Sequence, residues 1–218
     1  MIIGTMFHGR MKSLNDQWIE TKYLIIGIPL IPLSSMFVTK SEGNSRQGFE
    51  IGMHGQSVLK GYLSILSAIA GVGLTFIGPQ WAGIPLLAAA IYFYFFFGKS
   101  SEAENQERTL FQLATGINAL PAYLNVETAI TLRNRVILAL KQQLNQPEMD
   151  WLAYIESESY DETTLSLVFA AIGYQTRIEK GNARFNALYE KLKAEFTLIT
   201  AARVQSLAKE KSQELQPA

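Results

Sequence analysis

The sequence predicts a membrane α+β protein, with a small N-terminal antiparallel β meander, a two-helix transmembrane hairpin and a C-terminal all-α cytoplasmic domain. Three observations predict it. Residues 61–98 carry no charged side chain, residues 18–53 hold short runs of strand formers separated by turn residues, and residues 104–214 repeat apolar side chains at helical spacing. The expected division is a β-rich membrane-proximal segment over 1–56, the hairpin over 57–98, a polar linker over 99–106, the helical domain over 107–214 and a tail over 215–218.

The N-terminal segment contains "YLIIGIPLIPLSSMFVT", Tyr23 to Thr39, which is apolar enough to imitate a membrane helix. Pro29 and Pro32 argue otherwise: each removes an amide donor from a helical ladder, and the Tyr, Ile, Val, Phe and Thr around them favour strands. Strands are expected near 18–27, 34–40 and 48–53, the last after the turn-rich "KSEGNSRQ". The "IPLIPL" strand resembles the I-P-L-x-P-L strand of bacterial membrane-linked zinc-ribbon modules. That resemblance implies a β-ribbon element at a membrane surface and no metal site, because the chain has no cysteine. His8 and His54 lie in different segments without ligand-spaced partners and read as surface or hydrogen-bonded side chains. The opening "MIIGTMFHGRMKSLNDQW" lacks a basic region followed by a long apolar one, so no cleaved signal peptide is expected.

The uncharged run between Lys60 and Lys99 is too long for one crossing and just long enough for two, since a crossing takes roughly 20 apolar residues and about 17 at the low end. Gly78, Pro79 and Gln80 supply the break. Helices are expected over 60–77 and 81–98. The first is able to begin near Ser57, because Lys60 can extend its ammonium to the interface. A shallow re-entrant hairpin is the alternative, both spans being short and the first holding Ser64, Ser67 and Thr75. Trp81 is expected at one interface, with Tyr62, Tyr92 and Tyr94 at or near the other. Ser64, Ser67 and Gly71 form a small-residue face that permits close helix contact, inside the hairpin or between copies of a homo-oligomer. Lys60, Lys99 and Arg108 flank the hairpin while its turn carries no cation. Both termini are therefore expected in the cytoplasm, with the chain integral to a bacterial inner membrane.

Beyond Lys99 the pattern is helical. A helix over about 104–116 precedes one capped by Asn125, with Val126, Ile130, Ile137, Leu140 and Leu144 on its apolar stripe. A short helix around Trp151, Leu152 and Ile155 precedes the acidic turn "ESESYDE". The next helix carries Leu165, Val168, Phe169 and Ile172. The last starts at Asn182 and runs to about Glu214, with Phe185, Leu188, Leu192, Phe196, Ile199 and Leu207 on its stripe. At about 1.5 Å per residue it reaches nearly 50 Å, so its end is expected to project, with a charged, fraying tail after about 208.

Three residues here are candidates for interaction. Arg133 falls on the apolar stripe of its helix, as a buried ion pair, a ligand contact or a side chain passing the edge of the core. Tyr160 and Asp161 lie in the acidic turn, where Glu156, Glu158, Asp161 and Glu162 form a site for acid–base chemistry or a hard cation only if they converge. Asp161 reads more simply as an N-cap and Glu162 as a first-turn residue.

Composition excludes several classes. With 19 basic and 19 acidic residues there is no cationic excess for nucleic acid. Without cysteine there is no disulfide, thiolate nucleophile or thiolate metal site. Gly71, Gly73 and Gly78 lie in an apolar run rather than after a strand, so they make no dinucleotide loop. P-loop, nucleophile-elbow, H-E-x-x-H and kinase patterns are missing. No Asp, Glu, Lys, Arg or His lies in the hairpin core, residues 61–98, to carry protons. No catalytic residue, metal or cofactor is assigned, and a non-enzyme is expected. The expectation is a membrane-anchored interaction or assembly protein, held by the lipid bilayer, that docks a protein partner on its C-terminal helices. An oligomeric channel or transport accessory subunit is the alternative, and a divergent membrane-bound enzyme using Asp161 with Arg133 or Tyr160 is the second.

Overall fold

The structure, a computed structural model, describes residues 3–26, 28–43 and 45–214. The expected tail at 215–218 and the side chain of Leu207 lie outside the described residues. The architecture is α+β, with an N-terminal four-stranded antiparallel sheet and a helical C-terminal part, in two compact units, Met1–Gln106 and Glu107–Ala218.

In the N-terminal unit, β1 (Ile3–Leu14), β2 (Gln17–Ile26), β3 (Ile28–Glu42) and β4 (Ser45–Ile51) pair in sequence order. The sequence anticipates β2 to β4 but not β1. The reason is local: β1 is irregular between His8 and Met11 and again between Met11 and Leu14, and each slip breaks the two-residue alternation by which a strand is recognised. Asn15 and Asp16 both take positive φ between the paired Leu14 and Gln17, a two-residue turn whose twist suits a hairpin. Pro29 and Pro32 are inside β3 rather than outside a strand. Pairing with β4 starts only at Ser35, so around the prolines β3 has β2 alone as a neighbour, and the missing amides cost no ladder bond on the open side.

Two apolar helices follow, α1 (Gly55–Ile77) and α2 (Gln80–Phe95). The first starts five residues earlier than expected and the second ends three earlier. Gly98 adopts φ of +77°, and its carbonyl accepts the Lys12 amide of β1 at 2.9 Å, so the chain is drawn off the helix axis onto the sheet. Among the described residues α1 alone is long and apolar enough to cross a membrane by length and composition; α2 is apolar and shorter.

One face of the sheet, through Thr21 and Tyr23, meets the first turns of α1. Trp18 lies under the Arg10 guanidinium, 3.8 Å from its ring centroid, with Arg46 at 5.8 Å.

In the C-terminal unit, α3 (Glu102–Thr115), which opens within the stretch expected as a linker, contributes its residues from Glu107 onward. It is followed by a 3₁₀ turn at Pro121–Tyr123, α4 (Val126–Gln143), α5 (Trp151–Glu156), α6 (Leu165–Ile178) and α7 (Ala183–Glu214). Asn125 caps α4 as expected, its Oδ1 accepting the Thr128 amide at 2.7 Å. The buried stripe of α4 is Ala129, Leu132, Val136 and Leu140, not the one that starts at Val126, which is 45% exposed. Helical spacing allows adjacent faces, and packing against α6 selects between them.

Helix α6 is the centre: Val168 through Gln175 are all buried, the sign of a helix covered on all sides. Phe111 is fully buried against it, its ring 4.8 Å from Phe169 and 5.6 Å from Tyr174. On α7, Phe185, Tyr189, Leu192 and Phe196 close the core, while residues 201–206 are all exposed.

Candidate functional site

The junction of sheet and hairpin in the N-terminal unit is polar and ordered by serines and threonines. His54 caps α1, its Nδ1 accepting the Ser57 amide at 3.3 Å while its own amide donates to Ser35 Oγ at 3.0 Å. Thr21 Oγ1 donates to Ser57 Oγ at 2.8 Å, and Ser57 Oγ donates to the Gly9 carbonyl at 2.8 Å. Gly9 has φ of +78°, and a Cβ there would lie 2.3 Å from the Ser57 carbonyl oxygen, so only glycine lets β1 approach α1 this closely. Tyr23 donates to the Val58 carbonyl at 3.1 Å, and burial pushes its phenol up to about 12.

Beside this layer is a cleft of about 40 Å³ lined by His8, Gly9, Arg10, Glu20, Lys60, Ser64 and Tyr94. Ser64 Oγ donates to the Gly61 carbonyl at 3.1 Å, which leaves His8 Nε2 to donate to Ser64 Oγ at 3.0 Å. Burial pushes the His8 pKa below its ordinary value; Glu20 opposes this and Lys60 adds to it. Lys60, expected to reach outward, is 7% exposed instead. Its stem packs by Gly98, where an added Cβ would lie 3.8 Å from Lys60 Cδ. Glu20 is engaged elsewhere, accepting from Trp18 Nε1 at 3.1 Å and Arg46 Nε at 3.3 Å. Among the described residues no carboxylate lies within 4 Å of Arg10, Lys60 or Lys99. Arg108, counted with the flanking cations from sequence, is fully buried and committed to Asn118, donating to its carbonyl at 2.9 Å and its Oδ1 at 2.6 Å.

The small-residue face is partly accounted for within the hairpin. Gly71 faces α2, where an added Cβ would meet Leu87 at 2.9 Å, and Gly83 of α2 faces the Thr75 backbone. Ser64 belongs to the cleft, and Ser67 is half-buried.

In the C-terminal unit the acidic turn spreads rather than converges. Glu156 pairs with Arg184, Glu158 with Lys191, and Glu162 with Arg203 at 3.8 Å, three cations along α7. Tyr160 donates to Glu195 Oε2 at 3.1 Å; burial, with that carboxylate, raises its pKa to about 12. Asp161 Oδ1 accepts the amides of Thr163 and Thr164 at 3.0 Å each and both hydroxyls, which holds its carboxyl down at about 2. It acts as a cap one turn ahead of α6. Arg133 donates to Gln175 Oε1 at 2.6 Å, and Gln175 Nε2 donates to Glu179 Oε1 at 2.6 Å, so its link to a carboxylate runs through an amide. Arg133, Tyr160 and Asp161 thus make separate contacts. No group of His, Asp and Glu among the described residues is arranged to hold a metal.

Sequence reasoning missed Arg10 and the buried setting of Lys60, because β1 was not read as a strand that reaches α1. It also missed Glu107, which accepts from Tyr189 at 2.6 Å and Lys193 at 2.7 Å. The available signal was spacing: Glu107 and Arg108 lie one helical turn before Leu110 and Phe111. The chain matches no family model, and no match is found among curated proteins or solved structures.

Proposed function

We propose that the chain is a membrane-anchored interaction or assembly protein of a bacterial inner membrane. Helices α1 and α2 cross the bilayer as a hairpin, both termini are cytoplasmic, and the C-terminal unit docks a protein partner. The observation that carries this reading is the outward apolar surface of the hairpin: Phe76, Ile77 and Trp81 are 82%, 92% and 78% exposed, and Ile84, Ile91 and Phe95 are exposed as well. Soluble monomers rarely leave so dense an apolar patch uncovered, and lipid covers it without needing shape complementarity. The 23 residues of α1 reach about 34 Å, enough for a hydrocarbon core of about 30 Å. The 16 of α2 reach about 24 Å, so local thinning and the aromatic run Tyr92–Phe97 make up the difference.

Docking is supported by a groove of about 490 Å³ on the C-terminal unit, lined by Leu113, Phe196, Ile199 and Val204 with Glu162 and Arg203 beside them. Val204 is 62% exposed and α7 continues past it. An amphipathic helix of a partner is the occupant this shape and chemistry suit. The channel reading loses support because Gly71 packs on Leu87 of the same chain. The enzyme reading loses support because the acidic-turn carboxylates pair with separate cations.

The test uses single cysteines in the naturally cysteine-free chain. An impermeant maleimide is expected to label Pro79→Cys from the outer face and Ser101→Cys only after the membrane is opened. Labelling of position 79 from the cytoplasmic side alone would overturn the crossing. Cross-linking in intact membranes, read by mass spectrometry, is then expected to give a defined partner that is lost in Val204→Glu. Recovery of nothing but the chain itself as a discrete oligomer would overturn docking in favour of the channel.

A further inference from the structure

We propose that the N-terminal unit binds one anionic phospholipid, its phosphate at the cleft lined by Arg10 and Lys60, with Lys99 flanking it next to Gly98 beside the Lys60 stem, and an acyl chain in the groove between α1 and α2. The proposal rests on the membrane reading above and adds a specific ligand to it. Two features that run into one another carry it. The groove, about 360 Å³, is lined by Ile65, Ala68, Ile69, Ala90 and Ile91, and it shares His8, Ser64 and Tyr94 with the polar cleft. One continuous surface is therefore apolar along the hairpin and cationic at its end, which is the polarity of a lipid.

The charge at that end has neutral partners and no counter-ion: Arg10 donates to Ser13 Oγ at 2.9 Å and lies over Trp18, and Lys99 lies over Phe96. A buried ammonium is stable when a counter-ion neutralises it, yet no carboxylate stands within 4 Å of Lys60, Arg10 or Lys99 among the described residues. Glu20, the one carboxylate lining the cleft, already accepts from Arg46 and Trp18. Lys60 and Lys99 also bound the uncharged run, which places them level with lipid phosphates when the hairpin is inserted. About 40 Å³ holds roughly three water-sized groups, enough for the free oxygens of a phosphate and too small for a whole headgroup. His8 and Ser64, already hydrogen-bonded to one another, form the boundary between the two ends.

The probe is phosphatidylglycerol. The full-length protein is reconstituted in phosphatidylcholine nanodiscs with and without one-fifth phosphatidylglycerol, released into mild detergent, and its retained lipids are counted by native mass spectrometry. Retention of one phosphatidylglycerol per chain is expected, reduced about fivefold by each of Arg10→Gln, Lys60→Gln and Lys99→Gln. Arg10→Gln, at an exposed position that lines the cleft, keeps the test open where Lys60→Gln does not fold. Ala68→Trp, which fills the groove and leaves every cation in place, is expected to reduce retention as well. Equal retention by Arg10→Gln and wild type would overturn the proposal. So would full displacement by inorganic phosphate with no effect of Ala68→Trp, which identifies a soluble anion instead of a lipid. A protein that resists alkaline extraction from membranes yet retains no phosphatidylglycerol overturns this site and leaves the membrane reading standing; one extracted by alkali overturns both.

Discussion

A methyl group added at Gly83 would place its carbon 2.2 Å from the Thr75 hydroxyl oxygen, 2.8 Å from the Thr75 amide nitrogen and 2.9 Å from the Gly71 carbonyl oxygen. The hydroxyl can rotate away. The two backbone atoms cannot, so α1 and α2 must separate by about half an ångström, which forfeits roughly a quarter of the dispersion contact along the seam. Overpacking of this kind costs about 1–3 kcal/mol. At Gly71 the added carbon meets Leu87 Cδ2 and Cγ at 2.9 Å and the Leu87 amide nitrogen at 3.0 Å, so a side-chain shift relieves much of the clash and the cost is expected near the lower end. At Gly73 nothing lies within 4 Å, and alanine should be neutral or stabilise by up to about 1 kcal/mol through helix propensity. The assay is the thermal midpoint of the full chain in mild detergent, where each kcal/mol moves the midpoint by roughly 2–4 °C at this length. The expected order of damage is Gly83→Ala, then Gly71→Ala, then Gly73→Ala. Equal loss at Gly73 and Gly83, or a changed oligomeric mass in Gly83→Ala without a midpoint shift, would refute packing within one hairpin.

Acidification should weaken the N-terminal unit, because burial lowers the pKa of both His8 and His54 in the folded chain. The unfolded chain then binds protons first, so stability is complete above about pH 6.5 and falls as the pH drops through the lowered folded values. His54→Asn keeps an N-cap acceptor and should flatten the midpoint between pH 7.5 and 5.5; an unchanged slope would count against the cap. At Asp161 the carboxylate, held at about 2, supports the start of α6 above pH 3.8 and loses that role as the pH falls toward 2. Asp161→Ala should speed hydrogen exchange at the Thr163 and Thr164 amides, and unchanged protection would contradict the capping role. In the C-terminal core, Phe111→Ala should cost about 3–5 kcal/mol. Arg108→Met should cost about 2–4 kcal/mol, since it removes the guanidinium donors to the buried Asn118 carbonyl and Oδ1. Denaturant midpoints would expose either figure as wrong if they did not move.

The sequence alone determined features that depend on local chemistry. Two apolar helices with a break at Gly78–Pro79 follow from an uncharged run and a proline, and the α4 cap follows from an Asn whose side chain reaches an amide three residues on. Asp161 as a local cap was legible for the same reason. Features that depend on what lies opposite were decided only by tertiary structure. The slips in β1 erased its alternation, yet β2 still pairs with it and carries Arg10 and His8 to α1. Lys60 looked like a side chain that would reach outward, and the sheet over α1 buried it. The spacing of the acidic turn showed no convergence and named no partner for its carboxylates, and α7 offers Glu156, Glu158 and Glu162 a separate cation each. A hydrogen bond between neighbours is set by chain geometry, whereas burial and ion pairing are set by surfaces tens of residues away, which no local pattern records.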